Sequence, residues 1–445
     1  VAKALDLVLR GGTAITPMGT LQVDIGVAHG RIAALGSIPR GSGAVEREVQ
    51  HLHVLPGVID SQVHFREPGL THKEDLETGT RSAALGGVTA IFEMPNTKPA
   101  TTTREALREK LALARGRAHV DYAFFIGAAE ENAEALGELE RIPGCAGVKV
   151  FLGSSTGSLL VEDPAVVRRV LASGRRRVAI HAEDELRLRE RRHLATHVTQ
   201  HPVWRDEETA RHATEALLAI ARDVGRPVHI LHVTTADELP LLAAHRDIAT
   251  VEVTPQHLTL HAPDCYERLG SFAQMNPPVR AERHRLALWE AMASGLVDVI
   301  GSDHAPHTRE EKAKPYPESP SGMTGVQTLV PIMLDHVNHG RLSLERFVDL
   351  TSAGPARIYG VAGKGRIALG YDADFTLVDL RREVTLDDAQ MASRAGWTPF
   401  HGQRVRGFPV GTIVRGREVM RDGSMLCEPT GEAVRFLGAL PGTRA

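Results

Sequence analysis

Asp60, Gln62, His64 and Arg66 occupy alternate positions directly behind the apolar run Val54-Leu55-Pro56-Gly57-Val58-Ile59. Such a run reads as a buried strand. Histidine, aspartate and arginine at its carboxyl end are costly unless they face a pocket and find partners. In parallel α/β folds that end of the strand is where chemistry sits. A turn with satisfied polar residues would explain one such histidine, but the pattern recurs. Lys149 interrupts Gly147-Val148-Lys149-Val150-Phe151, and His181 and His232 each close an apolar run. Asp303 lies in Gly301-Ser302-Asp303-His304-Ala305-Pro306-His307. His64, His181, His232 and Asp303 are ligand types for zinc or a similar divalent ion. Burial would depress the pKa of Lys149. Its neutral amine could take up carbon dioxide, and the carbamate could bridge two metals. A snorkelling lysine or a buried ion pair is the structural alternative.

Arg66, His307 and Asn96 are the candidate substrate holders, because an arginine–carboxylate fork is strong and directional. A structural salt bridge is the competing role for Arg66. Asn96 sits in a Pro-Asn turn, where a local role is equally compatible with the sequence. Asn276, within Gln274-Met275-Asn276-Pro277-Pro278, shares that ambiguity. Gly322 and Gly325, in Ser321-Gly322-Met323-Thr324-Gly325, belong either to a loop lining the site or to a plain connection.

A scaffold must bring these distant residues together. The middle of the chain alternates strand with helix, which implies a parallel sheet with crossover helices. The expected strands are Val54 to Ile59, Val88 to Glu93, Tyr122 to Ile126, Gly147 to Phe151, Val178 to Ile180, Val228 to Leu231, Thr250 to Val253 and Val297 to Gly301. Helices are expected over Glu74 to Leu85, Thr103 to Arg115, Glu130 to Leu139, Pro164 to Ser173, Thr209 to Val224, Ala236 to Ala244 and Arg283 to Ser294. Eight strands with intervening helices over roughly 250 residues match a (β/α)8 TIM-type barrel, which gathers all eight strand ends on one face. A doubly wound open sheet is the alternative, but no GxGxxG follows any strand. Short glycine-punctuated strands at both chain ends, including a hairpin turning at Arg415-Gly416, suggest one small β-sandwich domain. The expected division is 1–53 with 365–445 for that domain and 54–364 for the barrel.

The chain has 445 residues, 42% hydrophobic and 24% charged, with a net charge of −3. That excludes a disordered chain and gives no reason to expect nucleic acid or a membrane as partner. No apolar run reaches transmembrane length, and Val1 to Arg10 lacks a signal-peptide pattern. Three widely spaced cysteines, Cys145, Cys265 and Cys427, fit a reducing compartment and a cytoplasmic location. Most of the 22 histidines, such as His193, His197, His201 and His336, fall on polar stretches and read as solvated or capping residues.

Asp60 to Gly69, Met94-Pro95-Asn96-Thr97, Gly147 to Phe151, and Gly301 to His307 with Lys312 together resemble the amidohydrolase superfamily and, within it, the dihydroorotases. The resemblance spans nearly the whole chain, and the Gly301 to His307 motif is highly specific. It implies metal ligands at His64, carbamylated Lys149, His181, His232 and Asp303, with one or two Zn2+ per chain. It implies a metal-bound hydroxide attacking the ring amide of dihydroorotate, with Asp303 as general acid/base and carbamoyl-aspartate as product. The reverse reaction is the biosynthetic one in de novo pyrimidine synthesis. Arg66, Asn96 and His307 resemble the set that holds the substrate carboxylate, while Asn276, Gly322 and Gly325 would contact the ring. Hydantoinases and allantoinases share the metal residues but are not expected to share that trio. A catalytically silent scaffold is the reading from another class. A homodimer is the default expectation, and association with another pyrimidine-pathway enzyme stays open.

One residue departs from the family pattern. The expected His-x-His is here Gln62-Val63-His64, and glutamine is a poorer zinc ligand than imidazole. A weakened two-metal site, a one-metal enzyme and a site without activity all follow as options. Gln256, before His257, is a second local difference with no assigned consequence.

Overall fold

The computed structural model describes residues 5–155 and 159–439. Residues 1–4 and 440–445, which fall in the terminal spans expected to be β-rich, lie outside the described residues, as do 156–158. Eight parallel strands form one sheet in sequence order: Val58–Val63, Val88–Glu93, Asp121–Gly127, Cys145–Phe151, Val178–His181, Val228–Ile230, Ala249–Val253 and Val299–Ile300. They are called barrel strands 1 to 8 below. The eighth returns to the first through a parallel bridge between Val63 and His304, and His64 N donates to His304 O at 2.7 Å. This nearly closed parallel barrel is the architecture expected from the strand–helix alternation.

Period-two alternation sorts the strand residues between two apolar layers. Phe124, Ile126, Val148, Val150, Val178 and Ile180 join the layer under the helices. Ala123, Phe125 and Ala179 join the barrel interior, and Ala146 joins it because the register between barrel strands 3 and 4 shifts at that point. By the same parity Lys149 and His181 point inward, above an interior floor of aromatic rings. Phe92 packs edge-on against Tyr359 at 5.5 Å and Phe436 at 5.7 Å. An apolar floor leaves the opposite, carboxyl-terminal mouth as the place where polar groups collect.

Capping residues explain several of the shifted helix boundaries. The first helix spans Leu76–Leu85 because Asp75 caps it, accepting from Thr78 N in a capping box. The long helix begins at Glu207, two residues early, because Asp206 caps it; it ends at Gly225 in the left-handed region. Glu130–Leu139 divides into a 3-10 turn and one short α-turn. The apolar run Val54 to Ile59 is two strands. His53–Pro56 joins the small sheet, Val58–Val63 the barrel, and Gly57 separates them. A Cβ on Gly57 would lie 2.2 Å from Thr89 Oγ1, so only glycine allows that crossing.

The small domain is a single nine-stranded sheet in which His53–Pro56 pairs antiparallel with Phe375–Thr385, joining both chain ends. Its hairpin turns at Arg415-Gly416, as expected. Residues 386–403 leave this sheet and pack at the barrel mouth, where Trp397 is buried and its Nε1 donates to His307 O at 2.8 Å.

Candidate active site

The mouth of the barrel holds a small cavity lined by Gln62, His64, Arg66, Asn96, Lys149 and His181, with His232, Asn276, Asp303 and Gly322 completing it. Of the expected residues, His307 stands directly behind Arg66, and Gly325 faces away. Gly325 N donates to His304 Nδ1 at 3.0 Å, and a Cβ there would meet Gln256 Nε2 and Ser302 O, both at 2.8 Å. It is a packing glycine behind barrel strand 8, and Gln256 is its neighbour. Gly322, at φ +146, does line the cavity; a Cβ there would come within 2.3 Å of Ala305 O.

Six non-glycine residues among those described have positive φ. His29, Arg415 and Asp422 each precede a glycine in a tight hairpin turn. The other three are Arg66, His232 and Asp303, at φ 64, 38 and 45. Each such residue costs about 1–3 kcal/mol, a strain that collects at functional sites. At His232 the reason is visible: Leu231 lies in the interior layer, so strict alternation would turn His232 outward. The left-handed backbone returns it to the cavity.

The donor groups form two pairs. His64 Nε2 lies 3.2 Å from Asp303 Oδ1, and its Nδ1 lies 2.7 Å from Asn96 Oδ1. His181 Nδ1 lies 3.2 Å from His232 Nε2. Burial pushes all three imidazoles below their ordinary pKa, so they are neutral and able to bind a cation through a lone pair. Among the described residues no three His, Cys, Asp or Glu side chains already form a metal cage. The group that acts on both pairs is Lys149, whose charge is felt by His64, His181 and His232 and by which Asp303 is felt in turn. Its Nζ is buried without a hydrogen-bond partner, 4.4 Å over the Phe151 ring. Burial lowers its pKa to about 7, with Asp303 and Glu252 opposing the drop. An orphaned amine with a lowered pKa, lining one cavity with both donor pairs, fits a lysine that could be carbamylated to help hold a divalent metal. Orphaned His232 Nδ1 and Gln62 Oε1 fit the same picture. Gln62 Nε2 donates to Asp303 Oδ1 at 3.2 Å.

Arg66 is 1% exposed and pairs with no carboxylate among the described residues. Its Nε donates to Pro306 O at 3.1 Å, Nη2 lies 3.3 Å from His307 Nε2, and Nη1 has no partner. Burial lowers its pKa to about 10. Lys73, absent from the expected set, has its Nζ 3.0 Å from His307 Nδ1 and 3.1 Å from Glu311. His307 Nε2 also lies 3.0 Å from Ser321 O, so the ring is enclosed by Lys73, Arg66 and Ser321. Arg66 Nη1 is thus the free donor here, with His307 packed behind the guanidinium. The Gly322 loop is held by Lys312, whose buried Nζ donates to Gln274 O, Pro320 O and Gly322 O at 2.9–3.1 Å. Asn276 Oδ1 is 3.0 Å from His201 Nε2, so His201, expected to be solvated or capping, is buried against a residue of the cavity lining. A wider cavity of about 470 Å3 adjoins the inner one, sharing Ser155, Asn276 and Ser321 with it. Glu183 also escaped the sequence reading, although it lies two residues beyond His181 on the same alternation.

The amidohydrolase family profile matches residues 53–419. A dihydroorotase of Halobacterium salinarum is 40% identical over 426 residues, covering 93% of this chain and 96% of its own. An allantoinase of Rubrobacter xylanophilus is 37% identical over 449 residues, covering 97% and 98%. Among solved structures, the L-hydantoinase of Arthrobacter aurescens superposes with a TM-score of 0.91 at 28% identity, covering 97% of this chain and all of that one. The chain belongs to the amidohydrolase family. Among the described residues no helix is long and apolar enough to cross a membrane.

Proposed function

We propose that this protein is a metal-dependent cyclic amidohydrolase that interconverts dihydroorotate and N-carbamoyl-aspartate, ring closure being the direction used in pyrimidine synthesis. The observation that carries the substrate reading is Arg66, a fully buried guanidinium with no carboxylate partner among the described residues. An isolated buried charge is expensive, so a site that keeps one is built for an anion to arrive. With Asn96 lining the same cavity and His307 packed behind Arg66, the anion proposed is a carboxylate on the substrate ring.

His64, carbamylated Lys149, His181, His232 and Asp303 would hold one or two zinc ions. A divalent metal held there would supply Lewis acidity, lowering the pKa of a water toward about 7 and polarising a carbonyl. Asp303 takes the proton of the attacking water and delivers it to the leaving ring nitrogen as the carbon–nitrogen bond breaks. Arg66, Asn96 and His307 keep the carboxylate fixed while the carbonyl is presented to that water, and Asn276 with Gly322 borders the ring. The exclusion of bulk water by the narrow inner cavity strengthens each of these interactions.

The allantoinase and hydantoinase likenesses support a second substrate reading, a cyclic ureide without a ring carboxylate. Assay of zinc-replete protein against dihydroorotate, hydantoin and allantoin separates them. Turnover of dihydroorotate alone is expected; turnover of hydantoin or allantoin with none of dihydroorotate would overturn the proposal.

A further inference from the structure

Glu183 is fully buried, and its carboxylate faces two groups. Oε2 lies 2.8 Å from His181 Nε2. Arg205, itself 2% exposed, donates from Nε to both carboxylate oxygens at 3.1 and 3.2 Å and from Nη2 to Oε2 at 2.5 Å. The same Nη2 donates to Ser154 O at 2.7 Å, tying the network to the segment after barrel strand 4. Arg280 Nη1 in turn donates to Arg205 O at 2.8 Å. Glu183, Arg205 and Arg280 do not line the inner cavity.

This arrangement decides which nitrogen of His181 is the free one. A carboxylate paired with arginine accepts a hydrogen bond, so the His181 proton stays on Nε2 and Nδ1 keeps its lone pair. That lone pair faces His232 Nε2, which must then donate, leaving His232 Nδ1 as the orphan the structure shows. The two histidines are thus unequal. His181 keeps its lone pair on Nδ1, held there from behind, whereas His232 carries its proton on Nε2 and has Nδ1 as its lone-pair nitrogen.

We propose that Glu183, held in place by Arg205, is a positioning residue that fixes His181 as an Nδ1 donor and so sets the affinity of the site for a divalent metal. A carboxylate behind an imidazole both orients the ring and raises its basicity, and losing it typically costs about 10–100-fold in metal affinity. The inference rests on His181 being a ligand.

The test is Co2+ binding to metal-stripped protein, read by chelator competition and by the visible absorption of the bound ion. Wild type, Glu183→Gln, Glu183→Gln with Arg205→Met, and His181→Asn are compared. The double variant removes both charges, so it avoids leaving Arg205 buried and unpaired. A Co2+ affinity reduced by about 10–100-fold in both Glu183 variants, with an altered absorption band and metal-free melting of the double variant close to wild type, is the expected result. Wild-type affinity and spectrum in the double variant, while His181→Asn loses the ion, would overturn the positioning role and leave the ligand reading intact. Wild-type affinity in His181→Asn would overturn both.

Discussion

Replacing Arg66 with methionine separates a substrate anchor from a structural salt bridge, because the two roles predict opposite signs for stability. The substitution preserves length and apolar bulk, and it leaves the φ of 64 no more strained than before. What the free protein loses is the bond from Nε to Pro306 O, about 1–2 kcal/mol. What it gains is release from holding a cation in a dry site. The drop of the Arg66 pKa from 12.5 to about 10 corresponds to a burial cost of about 3 kcal/mol. Stability should therefore be unchanged or higher, by up to about 2 kcal/mol. Binding moves the other way. A desolvated arginine–carboxylate pair is worth about 2–5 kcal/mol, so KM for dihydroorotate should rise roughly 30- to 3000-fold. The ring carboxylate is the same in ground and transition states, so kcat should change far less than KM. Urea unfolding of metal-loaded protein and steady-state ring opening on the same samples read both quantities. A variant that melts several degrees lower with KM unchanged would refute the reasoning.

Asp303→Asn should lower kcat by about 10²–10⁴-fold with a much smaller effect on KM, since it removes the proton carrier; single-turnover ring opening checks this. Lys149, at about 7 folded and 10.5 in its ordinary state, binds fewer protons folded than unfolded between those values. Metal-free, carbon-dioxide-depleted protein should therefore gain on the order of 4 kcal/mol from this residue as pH rises from 7 to 10. Lys149→Met should flatten that part of the urea-measured pH profile; an unchanged slope would refute it. Gln62→His should increase zinc bound per chain at fixed free zinc, because imidazole is the better donor; equal stoichiometry and affinity by metal analysis would show that position 62 is no ligand site.

The barrel was readable because its strands are continuous apolar runs and its helices repeat at the right distance. Val88–Glu93 appears at the expected bounds because nothing but Gly87 and Met94 flanks it. The split at Gly57 was not readable, since both halves of that run are equally apolar and only tertiary contact with Thr89 tells them apart. The candidate ligands were visible as polar residues in the wrong place. Lys73 was not, because it lies in a polar segment and becomes informative only when its ammonium meets His307 Nδ1. Gly325 failed for the opposite reason: a glycine-rich loop looks alike whether it faces a cavity or packs behind a strand.

Gln62 is the residue on which fold and chemistry pull apart. Its backbone continues barrel strand 1, and its side chain reaches the cavity as a histidine there would. Its amide can meet Asp303 in only two ways. With Nε2 toward the carboxylate it neutralises nothing but satisfies an acceptor, and Oε1 is left buried without a partner. With the amide turned over, Oε1 could face a cation held by His64 and Asp303, as a neutral oxygen ligand. The first arrangement suits metal-free protein and the second suits metal-loaded protein. A histidine would offer a stronger lone pair but would add a further neutral ring beside His64 when no metal is bound. On the other side Glu183 and Arg205 fix the His181 ring from behind. Metal should therefore fill the His181–His232 side first. The Gln62 side should then be the weaker position, filled or emptied by the free metal concentration.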